Sequence, residues 1–85
     1  MIPLWAERQD LIVEEDDAGR PQRFYWERRY HIVERVSRHW RVHLDWWTTD
    51  ELWRDYWEVA TDVGLLCVLY HDLPDGGWAL ERIYP

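Results

Sequence analysis

Apolar and polar residues alternate with a period of two along much of this chain, as they do where side chains point by turns to opposite faces of a sheet. The first such run is Leu11-Ile12-Val13. Glu14-Glu15-Asp16-Asp17-Ala18-Gly19 follows as a turn, kept in water by its carboxylates, with the glycine supplying a turn conformation. Arg23 to Glu27 alternates again through Phe24 and Trp26, and Glu27-Arg28 makes a tight hairpin without the usual Asn-Gly pair. The longest pattern spans 29–44. Tyr30, Ile32, Val36, Trp40, Val42 and Leu44 share even parity and predict an apolar face. His31, Arg35, Ser37, His39, Arg41 and His43 share odd parity, with Val33 the exception. Glu34 and Arg38 interrupt the apolar series, which predicts a bulge or strong bend near Val33–Val36. The β-branched and aromatic residues here favour a pleated surface over a helix.

Asp45 to Leu52 reads as a connection, and Thr48 with Glu51 fits a capping box, predicting a short helical turn near 48–53. Trp53 to Thr61 alternates with Trp57 and Val59 on one face, and Asp62-Val63-Gly64 turns the chain. Leu65 to Tyr70 is apolar on both faces, as a central strand is. Asp72-Leu73-Pro74-Asp75-Gly76-Gly77 is a turn, and Trp78 to Tyr84 the final strand. These elements predict an all-β fold: a small antiparallel barrel of five or six strands, SH3-like or OB-like, whose closure limits exposed edges. With 85 residues and no repeat or linker, residues 1–85 make one domain.

A domain of this size buries only about 60% of its unfolded surface, so its core residues must be large. Eight Trp, five Tyr and one Phe meet that demand, each ring burying roughly 150–250 Å². Eight tryptophans exceed what so small a core holds, so two or three are expected at the surface. The single cysteine, Cys67, excludes an intramolecular disulfide and any Cys-based zinc site, and within Leu65–Leu69 it reads as a small buried hydrophobe. A chain without disulfides suits a reducing cytosol. The N-terminus has neither the basic start nor the apolar run of a signal peptide, and no apolar stretch approaches the ~20 residues that span a bilayer. The expectation is a soluble, cytoplasmic protein with no membrane contact.

Charge changes the picture more. The formal net charge is -7, which argues against a general nucleic-acid coat. From Arg20 to His43, however, seven arginines face two acids, a local +5, while the remainder has three arginines and fifteen acids. All ten basic residues are arginine, which favours bidentate and stacking contacts over point charges. If the odd-numbered residues face outward together, one surface carries Arg23, Tyr25, Arg29, His31, Arg35, His39, Arg41 and His43. A cationic strand surface with exposed rings is how barrels hold single-stranded nucleic acid. The same arginines could instead pair with acids elsewhere and merely solvate a sheet face, or meet an acidic protein. Trp46-Trp47, adjacent in a polar loop, cannot both point inward. One exposed tryptophan beside arginine is the chemistry of interface hot spots, so Trp46, Trp47, Arg35 and Arg41 are candidate partner-binding residues. Alternatively the loop folds back and one ring caps an open end of the barrel.

Catalytic and metal chemistry find little support. On a strand, at ~3.3 Å per residue, His39 and His43 lie about 13 Å apart, too far for one metal ion. There is no Gly-rich phosphate loop, nucleophile elbow or zinc-protease motif, and an 85-residue barrel leaves little room for a pocket of several hundred Å³. The chain reads as non-catalytic, with no cofactor and no metal.

Three stretches carry a resemblance: Arg20-Pro21-Gln22-Arg23-Phe24-Tyr25-Trp26-Glu27-Arg28-Arg29-Tyr30; Trp46-Trp47 with Arg54-Asp55-Tyr56-Trp57-Glu58-Val59; and Gly76-Gly77-Trp78-Ala79-Leu80-Glu81-Arg82-Ile83-Tyr84. Together they resemble a short bacterial domain of uncharacterised function. That domain occurs as stand-alone proteins and at the C-terminal end of ImuB-type proteins, relatives of Y-family polymerases that act in damage-induced mutagenesis. The resemblance covers about residues 20–85. Its motifs are mostly structural aromatics, and no catalytic residue is carried over. It implies an accessory role in error-prone DNA repair. The expected function is therefore an interaction module docking onto a DNA repair or translesion-replication partner. The alternative is single-stranded nucleic-acid binding through residues 23–43, and a third reading is a homodimer formed through exposed strand edges.

Overall fold

The structure, a computed structural model, describes residues 9–44 and 52–84. Within them the chain runs as β1 (Gln9–Glu15), β2 (Pro21–Trp26), β3 (Arg29–Leu44), β4 (Leu52–Thr61), β5 (Leu66–Asp72) and β6 (Trp78–Ile83). Each strand pairs antiparallel with the next, and β6 returns to β1, closing a six-stranded barrel. Two strands bend from one partner to another. β1 lies on β6 through Gln9–Leu11 and on β2 through Ile12–Glu15. β3 lies on β2 through Arg29–Ile32 and on β4 from Val33 onward. No helix occurs among the described residues, and none there is long and apolar enough to cross a membrane. The helical turn expected near 48–53 is corrected at its end: Leu52 and Trp53 open β4, paired with Leu44 and His43. Residues 45–51, and with them Trp46 and Trp47, lie outside the described residues.

Turn chemistry sets the strand ends. Asp16 accepts the backbone N–H groups of Ala18 and Arg20 with its carboxylate at 2.9 Å, and Gly19 takes φ 82° to complete that turn. Glu27 and Arg28 both sit in the left-handed region, at φ 53° and 65°. This is the pattern of a two-residue hairpin whose twist matches its strands. Neither residue is glycine, so each carries a steric cost.

The core is a cluster of Phe24, Trp57, Val59, Cys67, Leu69, Trp78 and Leu80, flanked by Leu11, Val13, Trp26, Val33, Val36 and Leu65. β5 is buried on both faces, as its sequence predicts: Cys67 and Leu69 point into the barrel, and Val68 and Tyr70 are covered on the other side. Cys67 has no exposed surface, and burial pushes its thiol pKa up to about 12, so it behaves as an inert core residue.

The facing of β3 departs from the expected parity. Its register on β4 shifts twice, between Val33 and Arg35 and again between Val36 and Arg38. Each bulge inserts one residue and reverses every side chain after it. The barrel-side series thus runs His31, Val33, Val36, and then His39, Arg41 and His43 opposite Trp57, Asp55 and Trp53. The expected even-numbered apolar face does not form. Tyr30, Ile32 and Leu44 are exposed, and Trp40 and Val42 lie on the outer face, opposite Tyr56 and Arg54.

Replacing Arg28 with glycine removes a left-handed side chain at no loss of a core contact. Arg28→Gly is expected to raise stability by about 1 kcal/mol, seen as a higher urea midpoint with an unchanged slope.

Candidate functional site

Because β4 alternates strictly, Trp57 and Val59 turn inward and Arg54, Tyr56 and Glu58 turn outward. The second bulge of β3 adds Arg38, Trp40 and Val42 to the same outer face, and β5 and β6 contribute Val68, Tyr70 and Arg82. The rings form a ladder. Trp40 stacks on Tyr56 with centroids 5.3 Å apart and planes within 6°, and Tyr56 lies 5.5 Å from Tyr70. Arginines roof it: Arg38 sits 4.6 Å over Trp40, Arg54 4.3 Å over Tyr70, and Arg82 5.9 Å over Tyr84. Such contacts contribute roughly 0.5–1 kcal/mol each at exposed sites, and they order the side chains in advance. A groove of about 280 Å³ runs between Arg38, Trp40, Tyr56, Arg82 and Tyr84, floored by Val68. Glu58 borders it, accepting from Ser37 Oγ at 2.8 Å and Tyr84 Oη at 3.1 Å. The Ser37 hydroxyl foremost, then Tyr84 and the charges of Arg38 and Arg82, lower the Glu58 pKa against desolvation.

On the barrel side, past Trp57, three histidines lie flat on three tryptophans. His39 stacks on Trp57 at 3.6 Å, His71 on Trp78 at 4.5 Å and His43 on Trp53 at 4.8 Å. Asp55, buried among them, accepts from Arg41 Nε at 2.6 Å and Nη2 at 3.1 Å. That bidentate hydrogen bond is the main reason its carboxyl titrates below the ordinary aspartate range, with the charge of Arg41 and the imidazoles of His39 and His71 adding to it against desolvation. Among the described residues no group of three or more His, Cys, Asp or Glu could hold a metal ion. The indole N–H groups of Trp57 and Trp78 and Nδ1 of His31 are buried without a hydrogen-bond partner.

The eight residues expected on one outward surface are divided between different faces. Arg23 and Tyr25 do face outward: Arg23 bonds Glu14 at 2.5 Å and lies 4.4 Å over Tyr30, which meets Tyr25 edge-on at 5.2 Å. Arg35 is exposed beside the first bulge, in an open groove of about 460 Å³ shared with Arg20, Glu14, Asp16 and Glu34. Arg29 is exposed at the hairpin, opposite Trp26. His31 is not a surface residue at all. It pairs with Phe24, stacks on that ring at 5.2 Å, and places Nε2 3.1 Å from the Trp26 carbonyl. His39, Arg41 and His43 share the barrel-side face, and the Arg41 guanidinium is engaged by Asp55, so of the expected partner-binding residues Arg35 alone stands free of an ion pair among the described residues. The sequence reading missed the outer ladder of Trp40, Tyr56, Tyr70 and Tyr84. Half of its signal was present: Tyr56 and Glu58 must face away from Trp57 and Val59.

Residues 3–84 match the family described as a domain of unknown function (DUF6504). No curated protein and no solved structure matches the chain.

Asp55 carries a pH signature. Its pKa is lower folded than unfolded, so the ionised carboxylate favours the fold. That contribution is complete above the unfolded aspartate value and is lost as pH falls through the folded one. Asp55→Asn is expected to be less stable at neutral pH, with the gap to the parent protein closing between about pH 5 and pH 2. Urea midpoints measured across that range check it, and a constant gap would contradict it.

Proposed function

The chain belongs to the DUF6504 family, and from the surfaces of its barrel we propose that it is a non-catalytic module that docks a protein partner through the outer face of β3 to β6. The observation that carries this reading is the groove between Trp40, Tyr56 and Tyr84, with Arg38 and Arg82 at its sides. Tryptophan, tyrosine and arginine concentrate binding energy at protein interfaces. Here they are already stacked on one another, so a partner loses little entropy in ordering them. Charge speaks for a protein as well. Glu58 and Glu81 alternate with Arg38 and Arg82 on this face, a mixed pattern that selects a partner by complementarity. A phosphate backbone calls for an unbroken cationic track. The resemblance to the C-terminal domain of ImuB-type proteins supplies the class of partner: a DNA repair or translesion-replication protein met in the cytoplasm.

A second reading, single-stranded nucleic acid, is favoured by the outward patch of Arg23, Tyr25 and Tyr30, where a guanidinium and two rings meet. The two readings use different faces and separate cleanly. Trp40→Ala and Arg38→Glu are expected to weaken binding to a purified ImuB-type protein of the same genome by roughly tenfold or more, with Arg23→Glu near neutral, as read by calorimetry. Equal binding by all three variants would end the docking reading. Quenching of tryptophan fluorescence by oligo-dT that falls steeply with salt and is abolished by Arg23→Glu would put nucleic acid in its place.

A further inference from the structure

The barrel closes over only part of β3. Arg29–Ile32 pair with β2 on one side, whereas beyond Ile32 the strand pairs with β4 alone. Among the described residues no strand lies along the other side of β3 after that point. Backbone N–H and C=O groups alternate in direction along a strand, so about half of those past Ile32 point away from β4. Such an edge is a template for one more strand. The two bulges, ending at Arg35 and Arg38, twist the first part out of use. From Arg38 to Val42 the pairing with Glu58 to Arg54 then runs without a break in register, and the edge is regular.

We propose that the Arg38–Val42 edge takes up an extended acidic segment of a protein partner as an added strand. This deepens the docking reading and rests on it. Charge identifies the occupant. Between Arg35 and Leu44 the strand carries Arg35, Arg38, Arg41, His39 and His43 and no acid. A second copy of the chain fits poorly, because this strand laid on itself brings no acid against its arginines, and a pairing centred on Arg41 sets guanidinium directly against guanidinium, which is destabilising. The bulges also dictate the pattern of the incoming segment. On the outer side its residues lie beside Arg38, Trp40 and Val42, where apolar side chains meet the indole and the valine. On the barrel side they lie beside His39 and Arg41, whose guanidinium Asp55 engages from β4 while its side chain stays exposed to an incoming carboxylate. Acid and apolar residues therefore alternate along it with the period of a strand. The outer ones flank Trp40 on the side away from Tyr56, next to the groove that Trp40 lines.

Amide hydrogen exchange on the full chain, followed by NMR, tests this with a capped heptapeptide alternating Glu and Val. In the free protein, alternate amides between Arg38 and Val42 are expected to exchange fast, and the peptide to slow that set at least tenfold. A peptide N-methylated on its pairing amides should bind at least tenfold more weakly, and one methylated on the opposite set nearly as well as the parent. Shifts at Trp40 and Tyr84 without edge protection would overturn the added strand while leaving docking through the groove intact. Edge amides that are all protected before any peptide is added would overturn it too, the edge then being already covered. So would a peptide without effect, or protection by oligo-dT instead of the peptide.

Discussion

One residue inserted into a strand reverses the facing of everything after it, and β3 carries two such insertions in succession. Before the first, the barrel-side face carries His31 and Val33; between them it carries Val36; after the second, it carries His39 and Arg41, exposed beside Trp57 and Asp55. The two reversals cancel, so odd-numbered positions face the barrel both before the first bulge and after the second. With the first bulge alone, Trp40 and Val42 would lie over the core; the second turns the imidazoles of His39 and His43 onto the tryptophans of β4 and the Trp40 indole outward. The outer aromatic ladder and the Asp55–Arg41 pair follow from that second reversal.

Most of the fold was legible in the sequence. Turn residues marked the strand ends: Gly19 and Gly64 take positive φ, and Glu27-Arg28 closes its hairpin despite lacking glycine. β5 announced itself as central because neither of its faces is polar. The candidate site was less legible. Glu34 and Arg38 both interrupt the apolar series, but together they read as a single bulge near Val33–Val36, and nothing in the pattern separates out the second, between Val36 and Arg38. Counting parity across it sends Trp40 to the wrong face. His31 misled for another reason: its inward position opposite Phe24 is made tolerable by ring stacking and the Trp26 carbonyl, and composition signals neither. A basic segment in sequence became two faces in space because a strand always has two. The Trp46-Trp47 pair falls outside the described residues.

Arginine has a particular part in this arrangement. A guanidinium is flat and weakly hydrated, and it lies on an aromatic ring without surrendering its charge to water. Arg38, Arg54 and Arg23 each do so, which lets a small domain keep rings near solvent while shielding one face of each. Asp55 and Arg41 work differently. They meet at the edge of the core, Asp55 buried and Arg41 largely exposed, so removing Arg41 leaves a poorly hydrated carboxylate, whereas removing Asp55 leaves a guanidinium in water.

The order of the strands has a kinetic side. Five of the six pairings join neighbours in the chain, each a hairpin with a short connection or the 45–51 segment between its arms. Only β1 against β6 spans the length of the domain, through the three partners Gln9–Leu80, Asp10–Ala79 and Leu11–Trp78. Local hairpins form quickly, while a contact between distant residues must first meet the entropy of closing the loop. The ring can therefore assemble as a meander that curls and seals last along this short seam. The same seam, held by the fewest pairs among the described residues and closing the longest loop, is where the barrel would first open under thermal or mechanical load.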